Sequence, residues 1–203
     1  MQQEKSKNIE VEIRAHLDNI AEFKEILDRM GAQQASSLYI CDVYFCVETA
    51  TRVEDVEMDE VGSYSIRLRK SKKDGENEHI TINTKTIINH GDHNAWEEHE
   101  IKVNDFSEAA KILNTTEFKP FFMLEKTRFT YRLDDMEICV EDITDFGGAV
   151  EIEIMISRGQ EDNAKRKIRA FLMRCGVSEK KIVPKSITNI IMKERAFKQK
   201  IDI

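Results

Sequence analysis

Between residues 8 and 15 the chain alternates strictly, with Ile9, Val11 and Ile13 on one side and Glu10, Glu12 and Arg14 on the other. A period of two marks a β-strand with one apolar and one polar face. The pattern then recurs along the chain. Ile66 and Leu68 alternate with Ser65, Arg67 and Arg69 in residues 63–70, and Ile80 and Ile82 with Thr81, Asn83 and Lys85. Trp96, Glu98 and Glu100 share a face in residues 96–103. Lys126, Arg128, Thr130 and Arg132 are in phase in 122–132; Glu137, Cys139 and Glu141 oppose Ile138 and Val140 in 136–142. Glu151 and Glu153 oppose Val150, Ile152 and Ile154 in 149–156. A stretch from Leu38 to Val47, rich in β-branched and aromatic residues, reads as a further strand.

Helical spacing separates these strands. Asp18 is the expected N-cap of a helix carrying Ile20, Phe23, Ile26, Leu27 and Met30, with Gly31 ending it. Further helices are expected over 106–113, 161–174 and 186–198, that over 161–174 stopping at Gly176. Residues 48–62 are acidic and aperiodic, as in a solvated loop, and Asp74-Gly75 is a turn signal. The order β-α-β-β-β-β-α-β-β-β-α-α predicts an antiparallel α+β protein. With 203 residues, 2 prolines and 8 glycines, no linker divides the chain, so one domain over 1–203 is expected.

The net charge of −7 opposes binding to nucleic acid. No apolar run resembles a signal peptide or a membrane span, so cytoplasmic residence without membrane association is expected. The spacing of Cys41, Cys46, Cys139 and Cys175 predicts reduced, partly buried thiols rather than a zinc site. His90, Asp92 and His93 fall on a polar turn without further ligands, and no metal is assigned there.

The polar faces carry almost only ionisable groups. A solvated sheet with cross-strand ion pairs is the plain explanation. However, the charges gather at strand centres, and cations and carboxylates fall on different strands. That favours a sheet closed on itself around a charged interior, which needs a charged occupant. Carboxylates suit a hard cation such as Mg²⁺ or Mn²⁺, and Arg and Lys suit phosphate oxygens.

The motifs resemble the CYTH superfamily, the triphosphate tunnel metalloenzymes. Glu10-Val11-Glu12-Ile13-Arg14 is similar to its E-x-E-x-K mark, and Asp42-Val43-Tyr44-Phe45 to its D-x-Y-F strand. Ser65 to Arg69 resembles L-R-I-R, Thr84-Lys85 the T-x-K region, and Glu98-His99-Glu100 the E-x-E strand. Lys126-Thr127-Arg128 with Tyr131 resembles K-x-R-x-x-Y. Val140 to Ile143, Gly147 and Val150 to Glu153 are similar to D-x-V…G…E-I-E, and Ser186 opens a helix resembling the terminal S-Y-x-x-L-L element. Residues 112–128 most resemble the class IV adenylyl cyclase-like branch, which also includes triphosphatases.

The resemblance implies an eight-stranded closed β-barrel, the triphosphate tunnel, with helices outside. It implies Mg²⁺ or Mn²⁺ held by Glu10, Glu12, Glu151 and Glu153, with Glu98 and Glu100 as further ligands. Arg14, Arg67, Arg69, Lys85, Lys126 and Arg128 would clamp the triphosphate, and Lys185 would close one mouth. Glu141 and Arg14 are the catalytic candidates, the first by activating water and the second by its charge. The occupant would be ATP, thiamine triphosphate or tripolyphosphate, and the implied reaction is hydrolysis, cyclisation of ATP to cyclic AMP and pyrophosphate, or binding alone. Family relatives are often dimers, which makes a homodimer the expectation by analogy. Three positions depart from the pattern: Arg14 replaces lysine, Trp96 stands where arginine is usual, and Glu141 replaces aspartate. An arginine keeps the charge but does not exchange its proton near neutral pH.

Overall fold

The computed structural model describes residues 8–58, 60–73, 75–87, 96–184 and 186–203. Its elements are β1 (Asn8–Leu17), α1 (Ile20–Arg29), β2 (Gln33–Val47), β3 (Tyr64–Lys73), β4 (His79–Ile87), β5 (Trp96–Val103), α2 (Phe106–Thr115), β6 (Phe118–Leu133), β7 (Met136–Ile143), β8 (Gly147–Ser157), α3 (Glu161–Arg174), β9 (Ile182–Val183) and α4 (Ile187–Arg195). The α+β class and the large antiparallel sheet are as expected. Hydrogen bonding links the strands in the order β5-β4-β3-β2-β6-β7-β8-β1-β9. Among the described residues this order has two open ends, so hydrogen bonds do not close the sheet. It also has a ninth strand where eight were expected. That strand is two residues long, too short to show a period, and it pairs with Arg14 and Ala15 of β1.

Local chemistry explains the boundaries. Helix α1 is capped by Asn19, whose side chain accepts from Glu22 N at 3.1 Å. The expected cap, Asp18, instead accepts from Lys181 Nζ at 2.6 Å. Gly31 follows the helix at φ +82, a conformation glycine adopts without steric cost. Strand β2 begins at Gln33, five residues before Leu38, because its first part is polar and carries no apolar alternation. A 3₁₀ turn at Val53–Asp55 interrupts the acidic loop, with Asp55 accepting from Thr51 N and Arg52 N. Helix α4 stops at Arg195, short of the expected 198.

The chain forms two compact units, one of residues up to Ser37 with Lys126–Ile187, the other of Leu38–Glu125 with Thr188–Ile203. In the first, the apolar faces of β1, β7 and β8 (Val11, Ile13, Ile138, Val140, Ile152, Ile154) pack with Phe23 and Leu27 of α1 and Ile168, Phe171 and Leu172 of α3. Burying such a set of aliphatic side chains stabilises the unit by roughly 2 kcal/mol each before chain entropy opposes it. The packing holds one sheet face against helices and leaves Glu10, Glu12 and Arg14 on the other. Gly148 permits the close approach at the start of β8: a Cβ there would lie 2.7 Å from Ile20 Cγ1 and 2.9 Å from Leu17 O.

In the second unit, Val43, Phe45, Ile66, Leu68 and Ile80 pack with Ala109 and Ala110 of α2. Asp105 caps that helix, accepting from Glu108 N at 3.0 Å. All four cysteines are free and buried, in keeping with the expected thiols. Among the described residues, no helix is long and apolar enough to cross a membrane.

Candidate functional site

Strand register in the first unit assembles the ionisable face. Glu12 stands opposite Glu153, and Arg14 opposite Glu151, across the β1–β8 ladder. Glu137 opposes Glu153 and Cys139 opposes Glu151 across β7–β8, and Arg128 opposes Glu141 across β6–β7. Directly opposed residues share a sheet face. One row therefore runs Glu12, Glu153, Glu137, and the next Arg14, Glu151, Cys139, Thr130.

Carboxylate oxygens of Glu10, Glu12 and Glu153 lie within 4.8 Å of one another. Like charges opposed on a sheet repel, and burial adds to that cost at Glu12 and Glu153. Burial, then the charges of Glu10, Glu151 and Glu137, push Glu153 up to about 7. Burial and a hydrogen bond with Glu151 raise Glu12 above the usual carboxylate range, against the pull of Arg14. Glu151 moves the other way: burial opposes its charge, but the bond from Glu12 and the nearby cations Arg14, Arg128 and Lys126 outweigh it. Arg14 Nε donates to Glu151 Oε1 at 2.8 Å, and its Nη2 also contacts Glu12. Oxygen ligands crowded against their own repulsion are the donor set a hard divalent cation satisfies, so these residues fit Mg²⁺ or Mn²⁺.

Beside this group, the buried Glu141 accepts from Lys126 Nζ and Arg128 Nε, each at 2.7 Å and each on Oε1. Burial opposes the charge of Arg128, but Glu141 overcomes it and raises the pKa. In this arrangement Glu141 anchors the two cations.

The second unit carries a second charged group. Arg69 of β3 donates to buried Asp42 through Nε at 2.6 Å and Nη2 at 2.7 Å. Arg67 Nε lies 3.9 Å from Asp42 Oδ1. Arg67 Nε and Thr81 Oγ1 are buried with no hydrogen-bond partner among the described residues. Lys85 Nζ lies 3.1 Å from Glu98 Oε2, and Asn83 Nδ2 donates to Glu98 Oε1. Burial opposes the Glu98 charge, but these two donors lower its pKa. Glu100 is exposed, opposite Asn83 in register.

A CYTH domain family model matches residues 8–187. The chain belongs to the CYTH family. A protein of Methanocaldococcus jannaschii named "Putative adenylate cyclase MJ0240" is 25% identical over 183 residues, 88% of this chain and 95% of that protein. The solved PH1819 protein of Pyrococcus horikoshii OT3 matches with a TM-score of 0.69 at 18% identity, covering 92% of this chain and 100% of that one. A solved "putative adenylate cyclase" of Vibrio parahaemolyticus matches with a TM-score of 0.66 at 15% identity, covering 90% and 97%. These two structural likenesses speak to the fold.

Among the candidates in this CYTH chain, the structure gathers Glu10, Glu12, Arg14, Lys126, Arg128, Glu141, Glu151 and Glu153 in the first unit. Arg67, Arg69, Lys85, Glu98 and Glu100 belong to the second. Glu151 and Glu98 are engaged by Arg14 and Lys85, and the carboxylate cluster consists of Glu10, Glu12 and Glu153. Lys185 and the turn of His90, Asp92 and His93 lie outside the described residues; Trp96 opposes Ile87 in β5. Asp42, Thr81 and Asn83 were given no role from sequence. A signal for Asp42 was present: a single acid at the centre of an apolar strand requires a buried cationic partner.

Proposed function

We propose that this CYTH protein is a divalent-metal-dependent enzyme that hydrolyses a nucleoside or organic triphosphate bound in the charged tunnel the family implies. One observation carries this reading: three carboxylates converge within 4.8 Å on the sheet face that also bears Arg14, Lys126 and Arg128. Glu10, Glu12 and Glu153 would hold Mg²⁺ or Mn²⁺, which supplies charge neutralisation for the phosphate oxygens. Arg14, Lys126 and Arg128 would bind and orient the phosphates, so that catalysis rests on positioning and electrostatics. Within the second unit, Arg67 Nε and Thr81 Oγ1, buried with no hydrogen-bond partner among the described residues, also suit a ligand rich in acceptors. In hydrolysis a water oxygen bonds to the terminal phosphorus, the bridging P–O bond breaks, and the water proton leaves with Glu141 or solvent.

A second reading is cyclisation of ATP, favoured by the adenylate cyclase names of the archaeal relative and the Vibrio structure. There the ribose 3′-hydroxyl loses its proton to solvent as its oxygen bonds to the α-phosphorus, the bond from that phosphorus to the bridging oxygen breaks, and pyrophosphate leaves. Incubating purified protein with ATP, thiamine triphosphate or tripolyphosphate and Mg²⁺ or Mn²⁺ separates the two. Orthophosphate is the expected product. Cyclic AMP with pyrophosphate would establish the cyclase instead, and saturable binding without turnover would reject both enzymes in favour of a sensor. Glu12→Gln should abolish metal-dependent turnover.

A further inference from the structure

Arg14 lies between carboxylates that would otherwise all face a metal ion. Its Nε bonds Glu151 Oε1 at 2.8 Å and its Nη2 contacts Glu12 Oε1. The register makes this contact local, because Arg14 and Glu151 are directly opposed. Glu151 is therefore already matched with a cation, while the oxygens within 4.8 Å of one another belong to Glu10, Glu12 and Glu153. We propose that Arg14 acts as a tethered counter-cation that reserves Glu151, so that Glu10, Glu12 and Glu153 hold a single divalent ion. The proposal rests on the metal-dependent reading above.

Charge and chemistry support one ion. A guanidinium keeps its charge at any physiological pH and cannot deprotonate to make room for a second metal. A second ion bound to Glu151 would sit against that guanidinium with like charge in a partly buried site, where such repulsion is poorly screened. The first ion meets three carboxylates: Glu12 shares one oxygen with Arg14 and keeps the other for the ion, and among the described residues no cation lies within ion-pair distance of Glu10 or Glu153. Glu151 is thus the counter-ion of Arg14 and not a ligand of the first ion.

Mn²⁺ is titrated calorimetrically into the purified full-length protein with no triphosphate present. One equivalent is expected. Glu151→Gln should bind Mn²⁺ within about threefold of wild type, whereas Glu153→Gln, which removes a ligand outright, should lose roughly thirtyfold or more, since disturbing even an outer partner of a metal ligand costs about tenfold to a hundredfold. Arg14→Gln frees Glu151 and should take up a second equivalent or bind the first about tenfold tighter. Thermal melts check that each variant folds, and exposed Glu10→Gln replaces Glu153→Gln, with the same expected loss, if the latter does not. Two equivalents in wild type, a loss in Glu151→Gln equal to that in Glu153→Gln, or an Arg14→Gln protein unchanged in both number and affinity would overturn the proposal. Failure to turn over any triphosphate leaves it standing, while failure of wild type to bind Mn²⁺ overturns it along with the metal reading.

Discussion

Arg69 and Asp42 face each other directly across the β2–β3 ladder and join through two parallel hydrogen bonds, at 2.6 and 2.7 Å. Asp42 is 1% exposed. A charge so deeply buried persists because a planar guanidinium matches both of its oxygens. Asp42→Asn keeps the shape and removes the charge, leaving Arg69 and Arg67 without it. The expected loss is about 3 kcal/mol, the low end for breaking a buried pair. Urea unfolding measures it; a loss under about 1 kcal/mol would mean the pair is effectively solvated.

Glu141 offers a related test with a different outcome. It gathers Lys126, which is buried, and Arg128 on one oxygen. Glu141→Gln should lower the melting temperature, because two cations lose a common counter-ion in a poorly solvated place. If those cations clamp phosphate, tripolyphosphate supplies the missing charge. The variant should then show a larger ligand-induced rise in melting temperature than wild type. An equal or smaller rise would show that Lys126 and Arg128 serve Glu141 and not a ligand.

How much of this was legible in the sequence depends on the range of each interaction. The period-two pattern located Glu10, Glu12, Arg14, Glu151 and Glu153 on strand faces because alternation is a property of the local backbone. It could not pair them. That Glu12 meets Glu153 while Arg14 takes Glu151 follows from the register of strands about 140 residues apart, which is set by the β1–β8 ladder. Asn19 and not Asp18 caps α1 because the helix begins at Ile20, one residue further on, and Asp18 is left to engage Lys181, which is distant in sequence. The two-residue β9 has no period to detect. Asp42 was visible as part of a motif, but its role emerged only when Arg69 was found opposite it.

The raised Glu153 sets a pH dependence. Its carboxyl goes from 4.5 to about 7 on folding. Between those values the unfolded chain is ionised while the folded site keeps its proton, so the unfolded state binds fewer protons. Stability of the metal-free protein from this group therefore falls as pH rises from about 4.5 to 7 and then levels off. Glu12, also raised, adds to the same trend. Thermal melts between pH 5 and 8 in a chelator should show the fall, Glu153→Gln should flatten it, and Mg²⁺ or Mn²⁺ should offset it at pH 8. A metal-free melting temperature that rises over this interval in wild type and falls in Glu153→Gln would refute the assignment.

Gly148 ties the site to the fold. It opposes Leu17 in the β1–β8 ladder, where β1 ends and α1 begins. A methyl group there would sit 2.7 Å from Ile20 Cγ1 and 2.9 Å from both Leu17 Cβ and Leu17 O. Ile20 could rotate, but the Leu17 carbonyl is backbone and moves only with the ladder. Gly148→Ala should therefore cost about 1–3 kcal/mol, as overpacking does. Because the same ladder places Glu12 opposite Glu153, the strain should reach the carboxylates, and Mn²⁺ affinity should fall although no ligand has been altered. Chemical denaturation with a parallel Mn²⁺ titration checks both effects. A destabilised variant that binds Mn²⁺ as tightly as wild type would show that the end of the ladder yields without disturbing the register at Glu12 and Glu153.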